Sequence, residues 1–181
     1  YAKGDPMKYI NWKASAKMGE LLVNIHESTL SQKVVVLVDL EGLGVQQADL
    51  LNEEGVRIAC TLCVRLLEAG VQVGAWSNGI DALTGKPMAL PEVSGAGSAL
   101  SLRKTFACAK AANGLEPIES FFPGEDGDVL CVLVSRNQRE ELARAFAQRA
   151  GKREWVQIVP YRESYQELPQ FGVVHRLYWE T

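Results

Sequence analysis

Short runs of apolar residues, separated by stretches of helical periodicity, are the feature that most constrains the fold of this chain. Four such runs stand out: Val34–Val38, Val71–Trp76, Val129–Val134 and Trp155–Val159. The first and third are continuous and rich in valine, which is typical of strands buried on both faces of a parallel sheet. Strands that alternate with helices form right-handed crossovers. The sequence therefore predicts an α/β fold, with a doubly wound, mostly parallel sheet and helices on both faces.

Three segments between and beside these runs have the apolar spacing of helices. They are Ala48–Ala69, Ser98–Ala112 and Gln138–Ala150. Ser98 is a favourable N-cap for the second helix, and Asn137 with Glu140 forms a variant of the capping box before the third. The stretch from Ser77 to Gly97 contains glycines and prolines, and it leaves room for a short antiparallel excursion that ends in a loop of small residues.

Composition and charge place the chain among ordinary folded domains. Of its 181 residues, 47% are hydrophobic and 23% are charged, which excludes a disordered chain. A net charge of −3 argues against a general nucleic-acid binder, because such proteins carry a basic excess. We expect three parts, namely a flank at 1–32 with a short helix and an edge strand, an α/β domain at 33–160, and an aromatic segment at 161–181 packed on the domain.

The four cysteines do not have the spacing of a zinc site, and the two histidines do not complete one. Cys60 and Cys63 form a C-x-x-C motif, but it lies in the middle of the first predicted helix. Thiols of the thioredoxin type lie instead at a helix start, where the dipole lowers their pKa. We therefore expect buried, unreactive cysteines and a reducing, cytoplasmic compartment.

Polar residues that follow the predicted strands are the candidates for a functional site. In an open parallel sheet, ligands bind beyond the carboxyl ends of the strands, and three loops are expected to meet there. The candidate side chains are Asp39, Glu41, Ser94, Ser98, Ser135 and Asn137. Two carboxylates suit Mg²⁺ or Ca²⁺, which makes a metal-dependent hydrolase of phosphorylated substrates one alternative. The other is that Asp39 caps backbone amides and Glu41 is solvated, since two carboxylates rarely hold such a cation alone.

The N-terminal flank carries a long motif. Its matching positions are Tyr1, Gly4, Asp5, Ile10, Asn11, Trp12, Ser15, Ala16 and Lys17. This spacing resembles the signature of the domain of unknown function 58 family, Y-x-x-G-D-x-x-R-x-I-[DN]-W-x-x-[ST]-A-[RK], with Lys8 in place of the arginine. Asp5 and Pro6 are a favourable helix start, so we expect a helix to about Lys17. Leu21 to Ile25 is then expected to form an edge strand.

The family is similar to von Willebrand factor type A domains, whose metal-ion-dependent adhesion site is built on D-x-S-x-S after the first strand. Asp39 matches the first position, whereas Glu41 and Leu43 replace the two serines. The later threonine and aspartate of that site correspond to Ser94 or Ser98 and to Ser135. The resemblance thus implies a degenerate site, and we expect no cofactor, with Mg²⁺ or Ca²⁺ as the alternative.

Relatives of this kind are largely bacterial, commonly carry membrane helices ahead of this region, and are often encoded beside a MoxR-type AAA+ ATPase. The resemblance implies a non-enzymatic protein-interaction module that is the cytoplasmic domain of a membrane-anchored parent. Because the sequence starts at Tyr1 on the signature, we expect it to be the end of a longer protein. Lysines beside Tyr9 and Trp12 leave a single-stranded nucleic-acid contact as an alternative, but the acidic net charge opposes it and we expect none.

Overall fold

A computed structural model of the chain describes residues 15, 17–20, 33–41, 48–112, 116–122, 129–151, 153–162 and 175–180. The chain forms two compact units, Tyr1–Leu30 and Ser31–Thr181. In the first unit, Ser15, Lys17 and Met18 are helical, and Gly19 has a φ of 72° while its N–H donates to the carbonyl of Ser15 at 2.9 Å. This is a helix C-terminus at a glycine, close to the predicted end. The predicted start at Asp5 and the strand from Leu21 to Ile25 lie outside the described residues.

Within the described residues, the second unit contains seven strands and three α-helices. The strands are β1 (Lys33–Val38), β2 (Gln72–Asp81), β3 (Pro87–Val93), β4 (Ala109–Lys110), β5 (Val129–Val134), β6 (Trp155–Tyr161) and β7 (Arg176–Glu180). The helices are α1 (Ala48–Glu68), α2 (Ala99–Ala107) and α3 (Glu140–Ala150), with 3₁₀ turns at Ala96–Ser98 and Ile118–Phe121. None of the helices in this part of the chain combines the length and the apolar character that crossing a membrane requires.

The strands form one sheet in the order β3-β2-β1-β5-β6-β7, with β4 beside the end of β2. The pairs β2–β1, β1–β5, β5–β6 and β6–β7 are parallel, whereas β3 and β4 run antiparallel to β2. The chain moves outward from β1 to β3 and then returns to the other side of β1 at β5. The direction in which the chain adds strands to the sheet therefore changes between β1 and β5. Open α/β sheets have their ligand-binding crevice at such a point.

Alternate residues of β1 pack into two separate cores, one on each face of the sheet. Val34, Val36 and Val38 belong to a core with side chains of α1 and α2, while Val35 and Leu37 belong to a core with side chains of α3 and the 3₁₀ turn at Ile118–Phe121. Both faces are buried, which explains why β1 and β5 are continuous valine-rich runs. The predicted fold class is confirmed, including the mostly parallel sheet with helices on both faces.

The predicted second helix is wrong at its C-terminal end. We expected it to reach Ala112, but α2 ends at Ala107 and the next residues form β4. β4 pairs with Ile80 and Asp81, and the carbonyl of Cys108 accepts a bond of 2.7 Å from the N–H of Ala82. Hydrogen bonds to the end of β2 thus override the helix propensity of this alanine-rich stretch.

The predicted capping box before α3 is also wrong, because Arg139 is the N-cap residue and has no side-chain capping bond. The Oδ1 atom of Asn137 instead accepts the N–H of Arg139 at 3.0 Å, two residues along, which is an Asx-type turn. Gly151, with a φ of 59°, ends α3 as predicted. The antiparallel excursion is confirmed as β3, and β7 adds a parallel strand beside β6.

Candidate functional site

The carboxyl edge of the sheet, formed by residues 39–41, Asn78 and residues 135–137, holds a buried carboxylate. Asp39 is 6% exposed. Its Oδ2 atom accepts the hydroxyl of Ser135 at 2.7 Å, and its Oδ1 atom accepts the amide of Asn78 at 2.9 Å and the N–H of Glu41 at 3.0 Å. Three donors therefore compensate for the burial of this carboxylate.

The register of three neighbouring strands brings these side chains together. Val38 on β1 lies opposite Ser77 on β2 and opposite Val134 on β5. The next residue on each strand is Asp39, Asn78 and Ser135, respectively. Parallel strands lie about 4.8 Å apart, so residues at one level on adjacent strands are within reach of a side-chain hydrogen bond.

A second layer of hydrogen bonds fixes the loop after β5. The Ser135 hydroxyl accepts the N–H of Asn137 at 3.0 Å, and the Gln157 amide donates to the carbonyls of Ser135 at 3.2 Å and Asn137 at 2.7 Å. Gln157 is held in turn by Arg176, whose Nε donates to its Oε1 at 3.0 Å. Arg176 also donates to the carbonyl of Gln138 at 2.9 Å. This loop is therefore fixed from β6 and β7.

Arg136 and Asn52 connect the same edge to α1. The Asn52 amide donates to the carbonyl of Leu40 at 3.2 Å, and its Oδ1 accepts Nε of Arg136 at 3.2 Å. Arg136 also donates to the carbonyl of Glu41 at 3.1 Å. Both side chains are buried, at 7% exposure each. The backbone after Asp39 is thus held by groups from α1 and from the loop after β5.

Glu41 and Arg139 form an ion pair of 3.0 Å on the outside of this network, with side chains 44% and 56% exposed. Nε of Arg139 also donates to Oδ1 of Asn137 at 3.1 Å. The Nδ2 atom of Asn137 is buried and makes no hydrogen bond to the described part of the chain. A partner that approaches the carboxyl edge would meet Glu41 and Arg139 before the buried groups.

The two carboxylates of the edge are both engaged by other groups of the chain. Neutral donors from Ser135 and Asn78 bond to the carboxylate of Asp39, and the carboxylate of Glu41 pairs with a guanidinium group. In the described ranges, no three histidine, cysteine, aspartate or glutamate side chains group closely enough to hold a metal ion.

The structure places the predicted loop from Ser94 to Ser98 at the opposite edge of the sheet, so the expected convergence with Asp39 is wrong. Val93, at the end of β3, lies opposite Val73 near the start of β2. The ion pair between Glu92 and Lys33, at the start of β1, marks the same edge. The hydroxyl of Ser98 donates to the carbonyl of Ser94 at 3.0 Å. Because β3 is antiparallel, its carboxyl end points away from that of β1.

Of the remaining predicted residues, the structure brings together Asp39, Glu41, Ser135 and Asn137, and their role in binding stays a prediction. Sequence analysis missed Asn78, Gln157 and Arg176 as members of this network. Asn78 could have been found by aligning the two valine-rich strands with the next apolar run, residue by residue. No local signal marks the other two, since their burial depends on how β6 and β7 pair.

The C-x-x-C motif lies within α1, as predicted. Cys63 is fully buried, and burial raises the pKa of its thiol well above the usual range. Burial also raises the pKa of Cys60, although the nearby Arg103 cation opposes this shift. Both thiols are therefore protonated near neutral pH, unlike the activated thiol of a redox motif.

Comparison with known proteins places these observations in a family. The family model described as "Protein of unknown function DUF58" matches residues 1–178. Among solved structures, a von Willebrand factor type A protein from Catenulispora acidiphila is similar, with 13% identity and a TM-score of 0.43. The match covers 72% of this chain but only 33% of that structure. None of the curated proteins matches the sequence.

Proposed function

The chain belongs to the DUF58 family, and we propose that it is a non-enzymatic protein-interaction module with a degenerate metal-ion-dependent adhesion site at the carboxyl edge. One observation carries this proposal. The carboxylate of Asp39 accepts hydrogen bonds from Ser135, Asn78 and the backbone of Glu41, so internal donors already compensate its charge. The edge is then a rigid polar scaffold for surface contacts.

Electrostatics around Asp39 support the same proposal. Arg136 donates to the carbonyl of Glu41 and Arg139 pairs with its carboxylate, so two guanidinium groups contact the residue that would complete a cation site. A divalent cation at this edge would be repelled by both. Arginine is common among residues that dominate protein interfaces, and the exposed Arg139 is the group we expect a partner to contact.

Calorimetric titration of the full chain with Mg²⁺ and with Ca²⁺ tests the degenerate site. We expect no heat of binding at micromolar affinity and no shift in Tm. Micromolar binding that is lost in Glu41→Gln and in Asp39→Asn would contradict the proposal. Metal-dependent turnover of p-nitrophenyl phosphate that needs both carboxylates would establish the hydrolase alternative instead.

The partner that we propose is a MoxR-type AAA+ ATPase, on the strength of the family resemblance alone. The test is a titration of the purified ATPase from the same genome against the full chain, with and without a non-hydrolysable ATP analogue. Arg139→Glu should weaken binding at least tenfold. Arg65→Glu is the matched control, because Arg65 is also an exposed arginine paired with a glutamate, Glu68, but lies at the far end of α1. Equal loss in both variants would contradict a contact at the carboxyl edge.

We also propose that the chain is the cytoplasmic part of a membrane-anchored parent. Fractionation of the source bacterium with an antibody against this domain tests the arrangement. The antigen should sediment with membranes, dissolve in detergent, and resist protease added to intact spheroplasts. Recovery of the parent in the soluble fraction would contradict the anchor, and digestion in intact spheroplasts would contradict the cytoplasmic location.

A further inference from the structure

A groove of about 690 Å³ lies between α1 and the segment that runs from the end of α2 through β4. Its apolar lining includes Leu40, Val56, Cys60 and Phe106. Phe106 and Leu40 belong to the hydrophobic core, whereas Val56 and Cys60 are partly exposed beside it. The volume is in the range of about 300–1,000 Å³ that is typical of ligand sites. We call it the α1–α2 groove.

The groove is elongated along α1. The lining residues of that helix extend from Asn52 to Thr61, which is a rise of about 13.5 Å over two and a half turns. Glu53, Arg57 and Thr61 are exposed and four residues apart, so they form one rim of the groove. An open trench of this length fits a peptide segment of a few residues better than a compact small molecule.

The charges around the groove are unequal. Arg57, Arg103 and Lys110 contribute three cations to the lining, whereas Glu53 contributes one carboxylate. Arg57 pairs with Glu54 at 3.0 Å. Arg103 and Lys110 are exposed and form no ion pair with another described residue. A chain with a net charge of −3 therefore has a local basic patch at an apolar groove.

From this combination we propose that the α1–α2 groove binds an acidic amphipathic peptide segment of a partner protein. An apolar side chain of that segment contacts Val56, Cys60 and Phe106, and its carboxylates pair with Arg103 and Lys110. Apolar burial supplies affinity, while complementary charge selects the partner and speeds association. The site does not depend on the function proposed for the carboxyl edge, because none of these five side chains hydrogen-bonds to Asp39, Asn78 or Ser135 in the described structure.

Selection of displayed random 12-residue peptides on the full chain is the first test, followed by fluorescence anisotropy with the enriched sequence. We expect enriched peptides to be net acidic with spaced leucine or aromatic residues. Arg103→Glu combined with Lys110→Glu should weaken binding at least tenfold. Arg65→Glu combined with Lys104→Glu is the matched control, because it reverses the charge of one exposed arginine and one exposed lysine that are not part of the groove lining. Arg139→Glu at the carboxyl edge should leave peptide affinity unchanged.

Alkylation of Cys60 gives a second readout that does not depend on charge. Iodoacetamide at pH 9 should modify Cys60 slowly in the free chain, and saturating peptide should reduce its rate at least fivefold by mass spectrometry. Cys108, which is also partly exposed but does not line the groove, is the internal control. The proposal would be overturned by enrichment of basic or neutral peptides or by no enrichment at all. Equal weakening of binding by the Arg65→Glu and Lys104→Glu double variant, or a Cys60 that peptide does not protect, would overturn it too. Protection of Cys60 that rises with protein concentration alone would identify a second copy of the chain as the occupant, which also overturns it.

Discussion

The carboxyl edge and the α1–α2 groove are neighbours that differ in how their polar groups are used. They share Leu40 and Asn52, which take part in the hydrogen-bond network at one end and line the groove at the other. At the edge, the buried carboxylate of Asp39 accepts three hydrogen bonds. In the groove, Arg103 and Lys110 have no ionic partner in the described part of the chain.

This difference separates groups that maintain the fold from groups that are available to a ligand. A buried carboxylate and its buried donors must be paired internally, because an unpaired one costs free energy. Exposed cations beside an apolar surface carry no such requirement and can pair with a partner. We therefore expect substitutions at the edge to reduce stability, and charge changes in the groove to alter binding with little effect on stability.

The largest effect is expected for Asp39→Ala, which should lower the free energy of unfolding by about 3–5 kcal/mol. The change leaves the Ser135 hydroxyl and the Asn78 amide without an acceptor in a buried site, and each orphaned group costs about 1–3 kcal/mol. Urea unfolding monitored by circular dichroism measures this. Arg103→Ala in the groove is the comparison, with an expected change of less than about 0.5 kcal/mol. Similar losses in both variants would remove the distinction between the two regions.

A smaller loss of about 2–3 kcal/mol is expected for Ser135→Ala. The hydroxyl donates to Asp39 and accepts the N–H of Asn137, so its removal affects two buried hydrogen bonds. Ser98→Ala is the control, because in the described structure the Ser98 hydroxyl donates to the carbonyl of Ser94 on the same turn, and we expect the Tm of this variant to be unchanged. A Tm for Ser135→Ala within one degree of the wild type would show that the network is not needed for stability.

Gly79→Ala should cost about 1–2 kcal/mol, as expected for overpacking, and should alter the groove as well. A Cβ atom at this position would lie 2.7 Å from the carbonyl oxygen of Lys110 and 2.5 Å from Cδ1 of Leu40. β4 must then shift, and with it one wall of the groove, so peptide affinity should fall along with Tm. Gly97→Ala is the control, since a Cβ there has nothing within 4 Å. A neutral Gly79→Ala variant would contradict the close approach of β4.

Local sequence patterns were sufficient to predict the central strands and the long helix that packs on them. The valine-rich runs of β1 and β5 and the long apolar arc of α1 occur where they were predicted, because burial alone determines their residue types. Asp39 and Ser135 could be predicted as neighbours because each directly follows one of these strands. The fold class followed from the same alternation of strands and helices.

Strand length, and with it the edge to which the following loop returns, was not available from local patterns. The apolar run predicts a strand that ends at Trp76, but β2 continues to Asp81, and the turn before β3 uses Gly85 with a φ of 67°. β3 therefore runs back along β2 and carries Ser94 to the opposite edge. A tight turn of this kind reverses the chain, and only the observed pairing reveals which edge the following loop occupies.

The smallest effect is expected for the ion pair of Glu41 and Arg139, on the exposed side of the network. A double-mutant cycle with Glu41→Gln and Arg139→Gln should give a coupling free energy of about 0.5 kcal/mol, because solvent and salt screen exposed pairs. The pair of Glu140 and Arg144 on α3 is the control and should give a similar value. Coupling above about 2 kcal/mol, unaffected by 1 M salt, would mean that Arg139 is part of the buried scaffold. It would then be unavailable to a partner, and the contact surface at the carboxyl edge would have to be sought elsewhere.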